Sequence, residues 1–164
     1  MPVDKPPNPA IDWHAIDFSD LSRPVPKPDK KASSVSGKSS ISGKTDYVKK
    51  NEANKIVGDL GEEFALRYEA WRLRGNPELA DKIKHVAATD DSLGYDIQSY
   101  NLDGSSRLVE VKATVGQLHS PFFITANELA TSKQHSQEFV ILRVAGLLSS
   151  PVYCEITGPI EEIL

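Results

Sequence analysis

The chain has 164 residues, the span of one ordinary domain, and its hydrophobic share of 39% allows one modest core. Its 19 Lys and Arg against 23 Asp and Glu give a net charge of -4, which excludes a uniformly basic nucleic-acid coat, so an anionic partner must be met locally. A lone cysteine, Cys154, excludes an internal disulfide; no apolar run approaches the roughly 18 residues of a membrane span, and MPVDKPPNPA lacks a signal-peptide pattern, so a soluble intracellular, cytoplasmic protein is expected.

Composition divides the chain near residue 46. Seven of the 11 prolines and the densest serine usage precede it, too little apolar material to fill a core. Residues 1–45 are therefore expected to form a Pro/Ser-rich flexible tail, and 46–164 the folded domain. Within the tail, Trp13, Ile16, Phe18 and Leu21 make a short apolar motif at 11–21, which either docks on a protein partner or folds back on its own domain. Residues 34–45 read SVSGKS then SISGKT, a polar linker type. The GKS and GKT strings are no phosphate-binding loop: five residues separate Gly37 from Gly43 where four are needed, and no apolar strand leads in.

From Asp46, or from Thr45 as cap, Val57, Leu60, Phe64, Tyr68 and Trp71 recur at three- and four-residue steps and predict a helix stopped by Gly75-Asn76-Pro77. Gly58 and Gly61 inside it each cost up to about 1 kcal/mol relative to alanine, so something must pack close. After a helical piece at 77–82, strands are predicted at 85–89, 95–100, 108–114 and 122–125, with Asp103-Gly104 turning between the second and third. Thr125 and Glu128 fit a capping box that starts a second helix running to about Gln137. Strands at 139–144 and 152–156 close the chain, the first nearly continuously apolar and so central. The order predicts an α/β fold, a mixed sheet flanked by helices.

Alternation along the third strand puts Glu110 and Lys112 on one face, since side chains two apart share a side. The hairpin folds Asp96 back alongside, so Asp96 and Glu110 converge at one end of the sheet. Two close carboxylates repel, and a divalent cation such as Mg2+, which keeps waters and accepts phosphate, relieves that repulsion. Lys112 would then orient or help deprotonate the attacking water and offset charge in the transition state. An ordinary ion pair on a solvated strand is the plain alternative for Glu110 and Lys112. Tyr95 is read as packed, Glu128 as a cap, and His119, Lys133 and His135 as surface groups; Cys154 lacks neighbours at zinc spacing.

These residues resemble the PD-(D/E)XK nuclease superfamily, whose motif sets Asp and Glu-x-Lys on neighbouring strands. More narrowly, GDLGEEFALRYEAWRL, HVAATDDSLGYDIQSY, LVEVKAT, FFITANEL and FVILRV, in that order, resemble the restriction-endonuclease-like domain at the C-terminus of plant NO VEIN proteins and in many bacterial proteins. The resemblance covers about residues 46–145 and leaves out the tail. It implies a restriction-endonuclease-like mixed sheet, Asp96 and Glu110 as metal ligands, Lys112 as the catalytic lysine, and Glu62 as a first-helix carboxylate completing the site. It further implies Mg2+ as cofactor with Mn2+ as substitute, DNA as substrate, and restriction or anti-phage defence as the setting. Helical periodicity alone would instead choose Glu63, which borders the apolar stripe, whereas Glu62 falls roughly opposite it. Many members of that domain family have no demonstrated activity, so the alternative is a catalytically silent nuclease-like domain that senses nucleic acid or docks a protein.

Overall fold

The computed structural model describes residues 11–26, 44–158 and 160. The proline-rich start and most of the Gly/Ser repeat, 1–10 and 27–43, lie outside the described residues. Helix α1 spans Lys44–Arg72, α2 Pro77–Ala80 and α3 Ala126–Gln134; strands are β1 Lys84–His85, β2 Ile97–Tyr100, β3 Ser106–Ala113, β4 Phe139–Ala145 and β5 Val152–Ile156. The five strands lie in sequence order in one sheet. Only β3 and β4 pair in parallel; β1–β2, β2–β3 and β4–β5 are antiparallel. A parallel pair needs a long crossover, and here it is the stretch after β3 together with α3.

The architecture is thus the expected mixed sheet flanked by helices. All seven residues of β4 are buried, as a central strand covered on both faces requires. On one face α1 sets Phe64, Ala65 and Tyr68 against Ile97, Val109, Val140, Leu142 and Val144. On the other, Leu108, Phe139, Ile141 and Cys154 meet Leu118, Phe122, Ile124 and Leu129 from the crossover and α3. Gly61 explains the close approach: a Cβ there would collide with the Cβ of Ala113. Gly58 has no such neighbour, so its cost in the helix has no packing reason.

The apolar motif of residues 11–21 lies on its own domain. Phe18 is buried against Phe64, Tyr68 and Trp71, with ring centroids 5.2, 5.8 and 6.0 Å away. The Arg67 guanidinium sits over the Trp13 ring, and Ile16 and Leu21 pack beside the same cluster. Ser22 then bridges the outer edge of β5, where Tyr153 N–H donates to the Leu21 carbonyl at 3.0 Å and Arg23 N–H to the Tyr153 carbonyl at 2.8 Å. This strap covers an edge that would otherwise offer unpaired backbone groups.

Two predicted strands are corrected. Of 85–89 only His85 lies in a strand; Val86–Ala88 turn into a 3-10 helix, because Thr89 bonds the Val86 carbonyl through both its N–H and its hydroxyl. Residues 122–125 form no strand: β3 and β4 are already paired with each other and leave no ladder for a segment crossing their face. The inward-outward alternation persists, with Phe122 and Ile124 packed and Phe123 86% exposed. The second helix ends at Gln134 rather than 137, where Glu138 and Phe139 N–H groups turn back to the His135 carbonyl.

Candidate functional site at one end of the sheet

The β2–β3 ladder ends with Ile97 opposite Val109, and Asp96 stands just before β2 at that end, close enough for its charge to act on Glu110. Asp96 is fixed by its backbone, whose N–H donates to the Val109 carbonyl at 2.9 Å, and by its Oδ2, which accepts from Val111 N–H at 2.8 Å. Glu110 and Lys112 share the strand face turned to α3, and Lys112 Nζ lies 3.2 Å from Glu110 Oε1. The structure therefore brings Asp96, Glu110 and Lys112 to one place.

Glu128 joins them. Its Oε2 accepts from the N–H of Thr125 at 2.9 Å, closing the capping box, and from Lys112 Nζ at 2.9 Å. Its spacing from Thr125 identifies Glu128 as a cap, whereas no sequence signal reveals that one carboxylate serves the helix and the lysine together. Glu62 reaches the site from α1, close enough to act on the charge of Asp96, and its Oε1 lies 3.2 Å from His85 Nε2. Glu63 instead pairs with Arg67 at 3.2 Å, both side chains 45% exposed. The wheel misled because the sheet-facing side of α1 includes Gly61, Ala65 and Glu69, all buried, which an apolar count passes over. They rotate that side by roughly 70° from the Phe64 stripe at 100° per residue. Part of the stripe is occupied by the strap: Trp71 packs on Phe18.

Electrostatics follow from burial. Glu110, 4% exposed, has its carboxyl pushed up to about 9, first by desolvation and then by the charge of Asp96, against the pull of Lys112. Asp96 rises to about 6, again chiefly by burial. For Lys112 burial works against the charge, but Glu110 and Glu128 outweigh it and hold the ammonium above its ordinary range. Burial likewise opposes the Glu128 charge, while the hydrogen bonds from Lys112 and Thr125 keep that carboxyl below its usual value. Without a cation, then, burial and the neighbouring Asp96 charge favour a proton on Glu110.

This donor set fits a divalent ion. Among the described residues no three His, Cys, Asp or Glu side chains gather as a cage, but Mg2+ usually takes one or two carboxylates and keeps its waters. Asp96 and Glu110 supply two, and their mutual repulsion is what such an ion removes. Of the other weighed groups, His135 faces Glu138 at 3.5 Å, and Cys154 is buried and in no disulfide.

Fold and site together define an α/β domain with a carboxylate–lysine cluster at one end of a helix-covered mixed sheet. The chain belongs to the family described as Protein NO VEIN, C-terminal, which it matches over residues 61–156. That span includes Glu62, Asp96, Glu110, Lys112 and Glu128 and excludes the strap. No curated protein and no solved structure matches the chain. Among the described residues no helix is long and apolar enough to cross a membrane.

Proposed function

We propose that this domain is a metal-dependent nuclease module that hydrolyses DNA phosphodiester bonds, in the setting of restriction or anti-phage defence, with a restriction-endonuclease-like sheet as its scaffold. The observation that carries the reading is the convergence of Asp96, fixed to Val109 and Val111 of β3, with Glu110 and Lys112 of that strand. Asp96 and Glu110 would hold Mg2+, or Mn2+ in its place, and the ion would supply Lewis-acid polarisation of the phosphate and of the attacking water. Lys112 Nζ orients the water and offers positive charge to the phosphate oxygens. Glu128 positions that ammonium, and the negative field of Glu62 strengthens the preference of the Asp96 end for a cation.

A second reading has its own observation. Lys112 is held between two carboxylates, Glu110 and Glu128, a closed arrangement that also suits a silent domain binding nucleic acid or protein. Melting curves across Mg2+ concentrations separate the two. A metal-holding site should raise the melting temperature with Mg2+ in the wild type and lose most of that rise in Asp96→Ala and Glu110→Ala. A wild type indifferent to both Mg2+ and Mn2+ would favour the silent domain.

A further inference from the structure

Strand β4 reads FVILRVA, and its single charged residue is 2% exposed. The guanidinium of Arg143 donates from Nη1 to the Lys112 carbonyl at 3.2 Å and from Nη2 to the Ser120 carbonyl at 2.8 Å, and lies 5.0 Å from the centroid of the Phe122 ring. Its Nε has no hydrogen-bond partner. Among the described residues no carboxylate pairs with it, whereas the other deeply buried arginine, Arg107, has both Glu69 and Glu155. A buried cation without a counter-charge is costly, and a methionine would fill the same volume without that cost. Two carbonyl contacts do not explain why the fold keeps a charge here.

Its position supplies a reason. Arg143 stands beside Lys112 in the parallel β3–β4 register, on the same face of the sheet, with strands about 4.8 Å apart. Asp96 just before β2, Glu110 with Lys112 on β3, and Arg143 on β4 thus follow one another across the sheet, with the carboxylates at one end and the unpaired guanidinium at the other. Residues 117–124 cover Arg143, fastened by the Ser120 carbonyl and by packing of Leu118, Phe122 and Ile124. We propose that Arg143 is a phosphate-binding residue, its guanidinium held in reserve for a phosphate of the nucleic-acid backbone that displaces the Ser120 carbonyl. This rests on the nuclease reading for the identity of the anion, and on the unpaired charge alone for the existence of the site.

The test uses the full chain with two probes, inorganic phosphate and a short DNA duplex in Ca2+, which keeps the chemistry from turning over. Arg143→Met should fold with an unchanged or higher melting temperature, lose the phosphate-induced rise, and bind the duplex about 10- to 100-fold more weakly, the range for a charge-assisted contact. The slope of log K against log salt should fall by about one contact. A Met variant that melts lower but binds duplex and phosphate as the wild type does would make Arg143 purely structural and overturn the proposal. Should Arg143→Met fail to fold, the wild type decides by nitrogen NMR: the Arg143 Nε–H resonance must shift on titration with phosphate, and a fixed resonance overturns the proposal. If the wild type cleaves DNA while Arg143→Met binds it equally well, this inference falls and the nuclease stands. If the wild type ignores metal and leaves DNA intact, yet loses its phosphate response in Arg143→Met, the nuclease falls and the anion site stands.

Discussion

Glu128 Oε2 binds Lys112 Nζ and the N–H of Thr125 at the same distance, 2.9 Å, so the residue that starts α3 also fixes the lysine of the cluster. The two roles can be parted by substitution. Glu128→Gln keeps an acceptor for Thr125 and removes the charge from Lys112; Glu128→Ala removes both. The amide variant should lose cleavage rate, by about 10-fold or more, with little change in stability, while the alanine variant should lose in addition about 1 kcal/mol, the usual worth of a cap. Equal rates in wild type and Glu128→Gln would show that Lys112 needs no such support.

The pH dependence of stability has a defined sign. Glu110 binds its proton more tightly folded, pushed up to about 9, than at its ordinary value of 4.5 in the unfolded chain, so between those values the folded chain holds more protons than the unfolded one. Metal-free stability should therefore fall as pH rises through that window, with Asp96 adding to the fall below about 6. Glu110→Gln should flatten the curve above pH 6 and be the more stable protein at pH 9. Urea melts in chelator from pH 6 to 9 check this; a wild-type curve that rises with pH would contradict it.

At the far end of the sheet, Glu69 accepts from Arg107 Nε at 2.9 Å, Arg72 Nη1 at 2.6 Å and the Ser99 hydroxyl at 2.9 Å, while Glu155 takes the other side of Arg107 and the Tyr68 hydroxyl. Glu69 is fully buried, so Glu69→Ala leaves Arg107 Nε and the Ser99 hydroxyl without their acceptor and Arg107 with Glu155 alone, and should cost about 3 kcal/mol in chemical denaturation. Metal binding in whatever fraction stays folded should be unaltered. A loss under about 1 kcal/mol would mean that the network is dispensable.

How much of this was legible in the sequence depended on whether the signal was local. The strand at 152–156, the Asp103-Gly104 turn and the Thr125–Glu128 box were readable because adjacent residues determine them, and the D…ExK spacing brought Asp96, Glu110 and Lys112 together through one hairpin. Periodicity pointed to Glu63 rather than Glu62 because small residues, Gly61 and Ala65, face the sheet, and because part of the apolar stripe meets Phe18 of the strap, 46 to 53 residues earlier in the chain. Composition alone read 11–21 as part of a tail, since an apolar island reveals nothing about the groove that receives it. Arg143 did leave a trace, a charge inside an otherwise apolar central strand, but whether such a residue is paired is a tertiary fact.

The strap carries its own expectation. Phe18 fills a pocket of three aromatic rings, and Phe18→Ala should cost about 3 kcal/mol in chemical denaturation. An unchanged denaturation midpoint would free the motif for a protein partner instead.

In the proposed nuclease, Asp96 and Glu110 together hold the ion with which Lys112 acts on DNA. This is tested most directly by incubating plasmid and linear DNA with the full chain across Mg2+ and Mn2+ concentrations, beside Asp96→Ala, Glu110→Ala and Lys112→Ala. Metal-dependent cleavage by the wild type is expected, with at least about 100-fold loss in each variant, and with metal-induced stabilisation retained only by Lys112→Ala. A wild type that shows neither cleavage nor stabilisation by metal, or one whose cleavage survives in Glu110→Ala, would contradict it.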